Sequence, residues 1–337
     1  MQTVSRRDFL KYSSLVGAWA LLPRPLRALA DHIDAPPTSL GRISTGIRQA
    51  VRKEAKVKAE IVEYKTYDDI IPLYAQITGE APWPSNPIWY QTDGGYIHSG
   101  FVQPVENTPS GSPLNKIDRP GVWMQVCVPI AGSRLRVDSQ AISRKLYYGS
   151  VYRAVESVQD VTGEWWYRLQ EGIAWSPGPY VPAWSMRYLD VAQVSALSVS
   201  AKDKRIEVNL KEQVLTCFED DTAVFTTRTA TGYGSNFTPK GEYRVLRKHY
   251  TAYMIGGEGA DYYNLPGVSF PTYFTGSGIA VHGTYWHNDY GRPRSHGCVN
   301  VSNDAAQFVF RWTEPSVPYT DVSLRAKKDE GTKIVVL

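Results

Sequence analysis

His282-Gly283-Thr284-Tyr285-Trp286 and, a little further on, Ser295-His296-Gly297-Cys298-Val299-Asn300 decide how this chain reads. They set a thiol among two histidines, a serine and a glycine, the parts of a cysteine acyl-transfer site. A thiolate is the nucleophile in such chemistry, and a neighbouring imidazole generates it by taking a proton from a thiol of pKa about 8.5. Cys298 lies sixteen positions after His282 and two after His296. Gly297 keeps the backbone open beside the sulfur, where N–H groups can face a developing oxyanion.

The arrangement resembles the L,D-transpeptidase (YkuD-like) catalytic domain, whose pattern is a His, a spacer, then Ser/Thr-His-Gly-Cys, a small apolar residue, and Asn or Arg. Each position is filled here, with Val299 as the apolar residue and Asn300 closing the pattern. The resemblance runs over roughly the last 140 residues. It implies a peptidoglycan L,D-transpeptidase that needs no cofactor. Cys298 attacks the carbonyl between an L-centre and the following D-residue of a stem tetrapeptide, and an amine of a neighbouring stem resolves the acyl-enzyme into a cross-link. Water in place of that amine makes the same site an L,D-carboxypeptidase. A third alternative is a non-catalytic cell-wall-binding protein, against which the intact motif argues.

The roles follow the motif. Cys298 is expected as nucleophile, rather than as a buried structural thiol. His282 is expected as general base and then general acid, rather than as a strand-end histidine bonding a carbonyl. The resemblance gives His296 an orienting role and assigns the backbone N–H groups of His296, Gly297 and Cys298 to the oxyanion. Ser295 either bonds within the loop or is a plain turn serine. Ser295, Tyr285, Trp286, Arg292 and Asn300 are the expected substrate contacts; arginine suits the carboxylates of a peptide stem, although most loop arginines are merely solvated. Tyr273 and Phe274 suit either cleft or core. His32, His98, His249 and His287 have no motif support. A metal centre of His282, His287, His296 and Cys298 is disfavoured, because the spacing fits neither paired zinc ligands nor a helical HExxH.

Upstream, Ser5-Arg6-Arg7-Asp8-Phe9-Leu10-Lys11 resembles the twin-arginine export motif. The apolar run Leu15 to Leu22 is too short to span a bilayer, and Ala28-Leu29-Ala30 offers a small-x-small cleavage site. An uncleaved amphipathic anchor is the alternative, opposed by Pro23 and Pro25. Residues 1–30 therefore read as a twin-arginine signal peptide, and the protein as periplasmic or extracellular and associated with the cell wall. This segment holds Arg6, Arg7, Lys11, Arg24 and Arg27 against Asp8, so its removal takes the formal net charge from +4 to zero. The basicity belongs to the signal and gives no reason to expect a nucleic-acid partner. No stable membrane span is expected after cleavage; the expected partners are peptidoglycan stem peptides and the wall polymer.

Between signal and motif lies a weak internal repeat. Asn86-Pro87-Ile88-Trp89-Tyr90-Gln91 leads through Asp93-Gly94-Gly95 to Tyr96-Ile97-His98, and Glu164-Trp165-Trp166-Tyr167-Arg168-Leu169 leads through Glu171-Gly172 to Tyr180-Val181. Strand-like segments Ile70 to Ile77 and Leu146 to Val158 precede the two copies. The pattern resembles two bacterial SH3-like barrels, over 38–105 and 120–190, joined by the Pro/Ser/Gly-rich loop Val105 to Pro120. They read equally as wall-binding modules or as supports that shape the catalytic cleft. Three cysteines leave open a Cys127–Cys217 pair; two separate buried thiols are the favoured reading.

The catalytic region, 195–337, reads as β-rich with one supporting helix, giving a mainly β chain. Ile206, Val208 and Leu210 alternate with polar neighbours, Lys211-Glu212-Gln213 turns, and Val214 to Phe218 returns. Ala223 to Thr229, Glu242 to Arg247, Pro271 to Phe274, Ile279 to Val281 and Lys333 to Leu337 complete the expected strands. Ser302 or Asn303 can cap a helix whose Ala305, Phe308, Val309 and Trp312 share a face, with Pro315 ending it.

Overall fold

The strand Lys204–Asn209 buries Ile206 and Val208 completely and leaves the residues between them half-buried. It pairs antiparallel with Val214–Glu219 across a turn in which Gln213 takes a positive φ of 55°. Thr222–Arg228 extends the sheet on one side. On the other, Lys333–Val336 returns from the far end of the chain, parallel to the first strand with Ile334 beside Ile206, and Gly241–Arg244 closes the edge. The computed structural model describes residues 39–82, 86–171, 176–198, 201, 203–259 and 262–337. The expected signal peptide, residues 1–30, lies outside the described residues.

A second five-stranded sheet carries the motif. Its order is Val299–Val301, Ala280–Gly283, Thr272–Tyr273, Arg247–His249 and Ser323–Arg325. The continuous strand expected over Glu242 to Arg247 is corrected here. It breaks at buried Val245 and exposed Leu246, so Gly241–Arg244 serves the first sheet and Arg247–His249 the second. Beside this sheet stands a hairpin of Thr251–Gly256 and Tyr263–Ser269 that the apolar pattern did not reveal.

The helix Asn303–Trp312 lies in the core shared by these sheets. Ser302 caps it, its side chain accepting from the Ala305 N–H. Ala305, Phe308, Val309 and Trp312 are buried as their spacing predicts, and Phe308 stacks on Phe225 with centroids 4.1 Å apart. Burial of each large apolar side chain contributes about 1.5–3 kcal/mol relative to exposure. The helix begins five residues after Cys298, so its packing fixes the strand Val299–Val301 from behind. A second helix, the single turn Val191–Val194, is closed by a capping box of Asp190 and Gln193.

The preceding region is also β. Within 39–105, Ser39–Ile43 pairs with Ile70–Leu73 and Val102–Val105, and a five-stranded sheet runs through Ile61–Lys65, Gln49–Arg52, Gly95–His98, Ile88–Thr92 and Ala75–Thr78. Within 122–188, Val122–Val126, Val151–Gln159, Trp165–Glu171, Ser176–Pro182 and Met186–Tyr188 form another five-stranded sheet. The expected segments Ile70 to Ile77 and Leu146 to Val158 each split in two; the second breaks at Gly149, whose φ is +81°. Cys127 and Cys217 are free, buried thiols in different core clusters.

These regions are not beads on a string. Trp123 belongs to the core of the motif-bearing sheets, stacked on Tyr250 at 4.4 Å and donating from its indole N–H to the Tyr319 carbonyl at 2.9 Å. Arg153 reaches the Thr320 carbonyl at 2.6 Å. Among the described residues, no helix is long and apolar enough to cross a membrane.

Candidate active site

The strand Ala280–Gly283 runs parallel to Val299–Val301, with Val281 opposite Val299 and His282 opposite Asn300. One residue back, Cys298 falls opposite Ala280. Side chains alternate along strands, so His282 and Cys298 emerge on the same face of neighbouring strands, about 8 Å apart at Cα. The Ala280 N–H donates to the sulfur, and the thiol lies 3.9 Å from the Gly278 carbonyl.

His282 is buried, and its Nδ1 meets the Gly283 carbonyl at 3.0 Å. A carbonyl only accepts, so Nδ1 carries the proton and Nε2 is left as the basic nitrogen. Burial pushes the ring down to about 4 and pushes the half-buried Cys298 thiol up to about 11, the Ala280 N–H opposing the second shift. The resting pair is therefore a neutral thiol and a neutral imidazole, because desolvation disfavours both charges. His282 can take the proton as attack proceeds.

The loop carrying the thiol is held by its own side chains. Ser295 donates through Oγ to the Cys298 carbonyl and accepts from the Gly297 N–H at 3.1 Å. That N–H, expected to face the oxyanion, is thus spent within the loop. Gly297 has a φ of +114°, where a side chain is strained, and its carbonyl accepts from Thr238 at 2.7 Å. Thr238 also accepts from the Gly232 N–H, which ties the loop to the segment 229–238. His296 is exposed, and its ring packs against Tyr263 at 5.0 Å. Burial first, and then the Cys298 sulfur, raise the hydroxyls of Tyr263 and Tyr273, the latter to about 12.

The other expected contacts divide. Trp286 is half-buried with its ring 5.8 Å from His282, so it can flank a ligand at the site. Tyr285 is buried: its hydroxyl donates to the Pro266 carbonyl, its ring stacks on Tyr147, and its carbonyl accepts from Arg42. Arg292 stands 3.9 Å from the buried carboxylate of Asp289, which Arg294 approaches at 3.0 Å. Asn300 is buried and its amide meets His287 Nε2 at 2.9 Å. Both side chains are largely buried in the framework, and Tyr285 shares the wall of a cleft with Trp286. His287 Nδ1 accepts from the Asp289 N–H, so Nε2 carries the proton and the Asn300 amide meets it oxygen first. That orientation gives the otherwise unpartnered Asn300 Oδ1 its donor.

Sequence reasoning passed over several residues that shape this site. Asp289 accepts from Asn86, and Asn288 bonds both the Gly100 carbonyl and the Tyr90 hydroxyl. Arg42 is buried, paired with Asp68 at 2.9 Å, bonded to Gln103 and stacked over Tyr147. The only signal for them was the polar run His287-Asn288-Asp289 inside a catalytic loop; nothing marked their partners some 200 residues earlier.

Residues 203–336 match the family model described as YkuD, the L,D-transpeptidase catalytic domain. No curated protein matches the chain. Among solved structures, a cysteine-to-serine mutant of an L,D-transpeptidase from Enterococcus faecium is 23% identical, with a TM-score of 0.33, over 41% of this chain and 50% of that one. An L,D-transpeptidase from Mycobacterium smegmatis is 17% identical, TM-score 0.34, over 51% and 90%. One from Xylanimonas cellulosilytica is 26% identical, TM-score 0.27, over 42% and 63%. The match spans about half the length of the first two solved structures. Over residues 203–336, the chain carries an L,D-transpeptidase catalytic domain of the YkuD family.

Proposed function

We propose that the protein is an exported peptidoglycan L,D-transpeptidase. One observation carries the reading. Cys298 and the unprotonated Nε2 nitrogen of His282 share one face of two parallel strands, inside a domain of that family. Sγ attacks the carbonyl of a stem peptide as its proton passes to Nε2. The backbone N–H groups of His296 and Cys298 take the oxyanion, each such donor being worth about 3–4 kcal/mol in other acyl-transfer enzymes. The imidazolium returns the proton to the departing D-residue's amine, leaving a thioester. An acceptor amine then attacks that thioester, gives up its proton to His282 and regenerates the thiol.

The two preceding β regions are proposed as SH3-like units, and residues 1–30 as a twin-arginine signal that delivers the protein to the periplasm or cell surface. Their aromatic hairpins and the Arg6-Arg7 motif support these assignments.

Mass spectrometry of the intact protein after incubation with a carbapenem tests the nucleophile: one adduct is expected, absent in Cys298→Ala. Digestion of purified muropeptides then separates the reactions. New dimers mean transfer, whereas shortened monomers mean that water resolves the thioester. No adduct and unchanged muropeptides would leave a wall-binding protein instead.

A further inference from the structure

A single row of side chains crosses the motif-bearing sheet. Cys298 falls opposite Ala280, Ala280 pairs with Tyr273, Tyr273 with Arg247, and Arg247 with Arg325. Residues in register on adjacent strands point to the same face. The row therefore leads from the nucleophile over a small alanine to a tyrosine and then to two arginines. His249, two residues after Arg247, joins them on that face.

Like charges placed directly opposite on neighbouring strands destabilise a sheet unless something offsets them. Among the described residues, neither Arg247 nor Arg325 has a carboxylate partner. Arg247 hydrogen-bonds the Tyr273 hydroxyl and lies over its ring at 4.3 Å, yet its buried Nε has no partner. His249 is 6% exposed, and its Nδ1 is likewise buried and unpartnered. An unsatisfied buried donor in a cationic setting is a site in want of an acceptor. These groups line a cleft of about 490 Å³ with Thr251, Tyr253 and Tyr273, and no acidic side chain lines it.

We infer that Arg247, Arg325 and His249 form a carboxylate-binding subsite, which receives an acidic group of the peptide substrate. The inference rests on the transpeptidase reading and names what that site recognises. Three strand spacings separate the strand of Cys298 from that of Arg247 and His249, and four from that of Arg325, so the anion lies about 15 Å from the sulfur. Extended peptide covers that distance in about four to five residues. Paired guanidinium and imidazole N–H donors match the two oxygens of a carboxylate. An amide at the same place would leave both arginines uncompensated. The carboxylate can belong to the donor stem or to the acceptor stem.

The test compares turnover by the purified full chain of two stem tetrapeptide donors, one with its internal carboxylate free and one with it amidated, using a fixed acceptor. The wild type should prefer the acidic donor in kcat/KM by about 10- to 100-fold. In Arg325→Gln and Arg247→Gln that ratio should collapse toward one, and Arg325→Lys should restore part of it. Arg325 is exposed, so its replacement leaves the core intact. A parallel series holds the donor fixed and amidates the acceptor; a preference that follows this series assigns the subsite to the acceptor. A wild type that consumes both donors and both acceptors without discrimination overturns the subsite alone, as do variants that slow acidic and amidated substrates equally. A wild type that consumes none of them overturns the transpeptidase reading itself.

Discussion

The Asn86 side-chain amide donates to the wholly buried carboxylate of Asp289 at 3.1 Å, joining the first β region to the loop between His282 and Cys298. Asp289 is held from its other oxygen by Arg294, whose guanidinium lies over the Phe101 ring at 4.3 Å. A buried carboxylate is tolerable only when its oxygens are satisfied. The loop geometry thus depends on a residue far outside the catalytic domain.

Replacing Asn86 with alanine should cost about 1–3 kcal/mol, the penalty for leaving a buried acceptor short of its donor. Thermal melting reads this directly. Single-turnover acylation should slow as well, because Asp289 also positions the ring of His287 through its backbone N–H. Acylation at the wild-type rate would show that the loop holds its shape without the first β region.

Residues 195–337 expressed alone should melt well below the whole chain. They would lose Trp123 and Val151 from their core, together with the Arg153 contact to Thr320 and the Arg42 contact to Tyr285. Losing an aromatic side chain from a core costs about 3–5 kcal/mol. Equal melting temperatures for the fragment and the whole chain would contradict this, and would favour a purely anchoring role for the upstream regions.

The neutral resting pair has a kinetic signature. Alkylation of Cys298 by iodoacetamide should accelerate with pH along a curve whose midpoint lies well above 8.5, the value of a free cysteine. A midpoint near 6 would mean that a thiolate–imidazolium pair is already present before substrate arrives. In His282→Ala the alkylation midpoint should stay high while acylation by substrate falls steeply, since the imidazole acts during attack.

The cysteine–histidine motif, the strands that carry it and the supporting helix were legible because each rests on local pattern: a fixed spacing, a strand alternation, a capped amphipathic run. Tyr285 and Asn300 were less legible, because adjacency in sequence to the motif does not fix access: Tyr147 stacks on Tyr285, while Asn300 shares the face of His282 and is covered by its contact with His287. Arg247 carried no signal at all. Its place beside Tyr273 exists only because the chain breaks at Val245 and changes sheets, and its pairing with Arg325 spans nearly eighty residues. Local periodicity does not encode such long-range register.

Acid should destabilise the fold in a window set by its buried histidines. Burial holds His282 and His249 down at about 4, the flanking Arg247 and Arg325 adding to the effect on His249, and lowers His287 further. In the unfolded chain these rings titrate near 6.5. Between about 6.5 and 4 the unfolded state therefore binds more protons than the folded one, so stability rises with pH across that interval. It is fully present above about 6.5 and is lost as pH falls toward the folded values, His282 and His249 each contributing on the order of 3 kcal/mol. Denaturant midpoints measured from pH 7.5 down to 4.5 should fall with that slope, and His249→Gln should flatten it. A flat profile would mean that these rings accept protons without leaving their places.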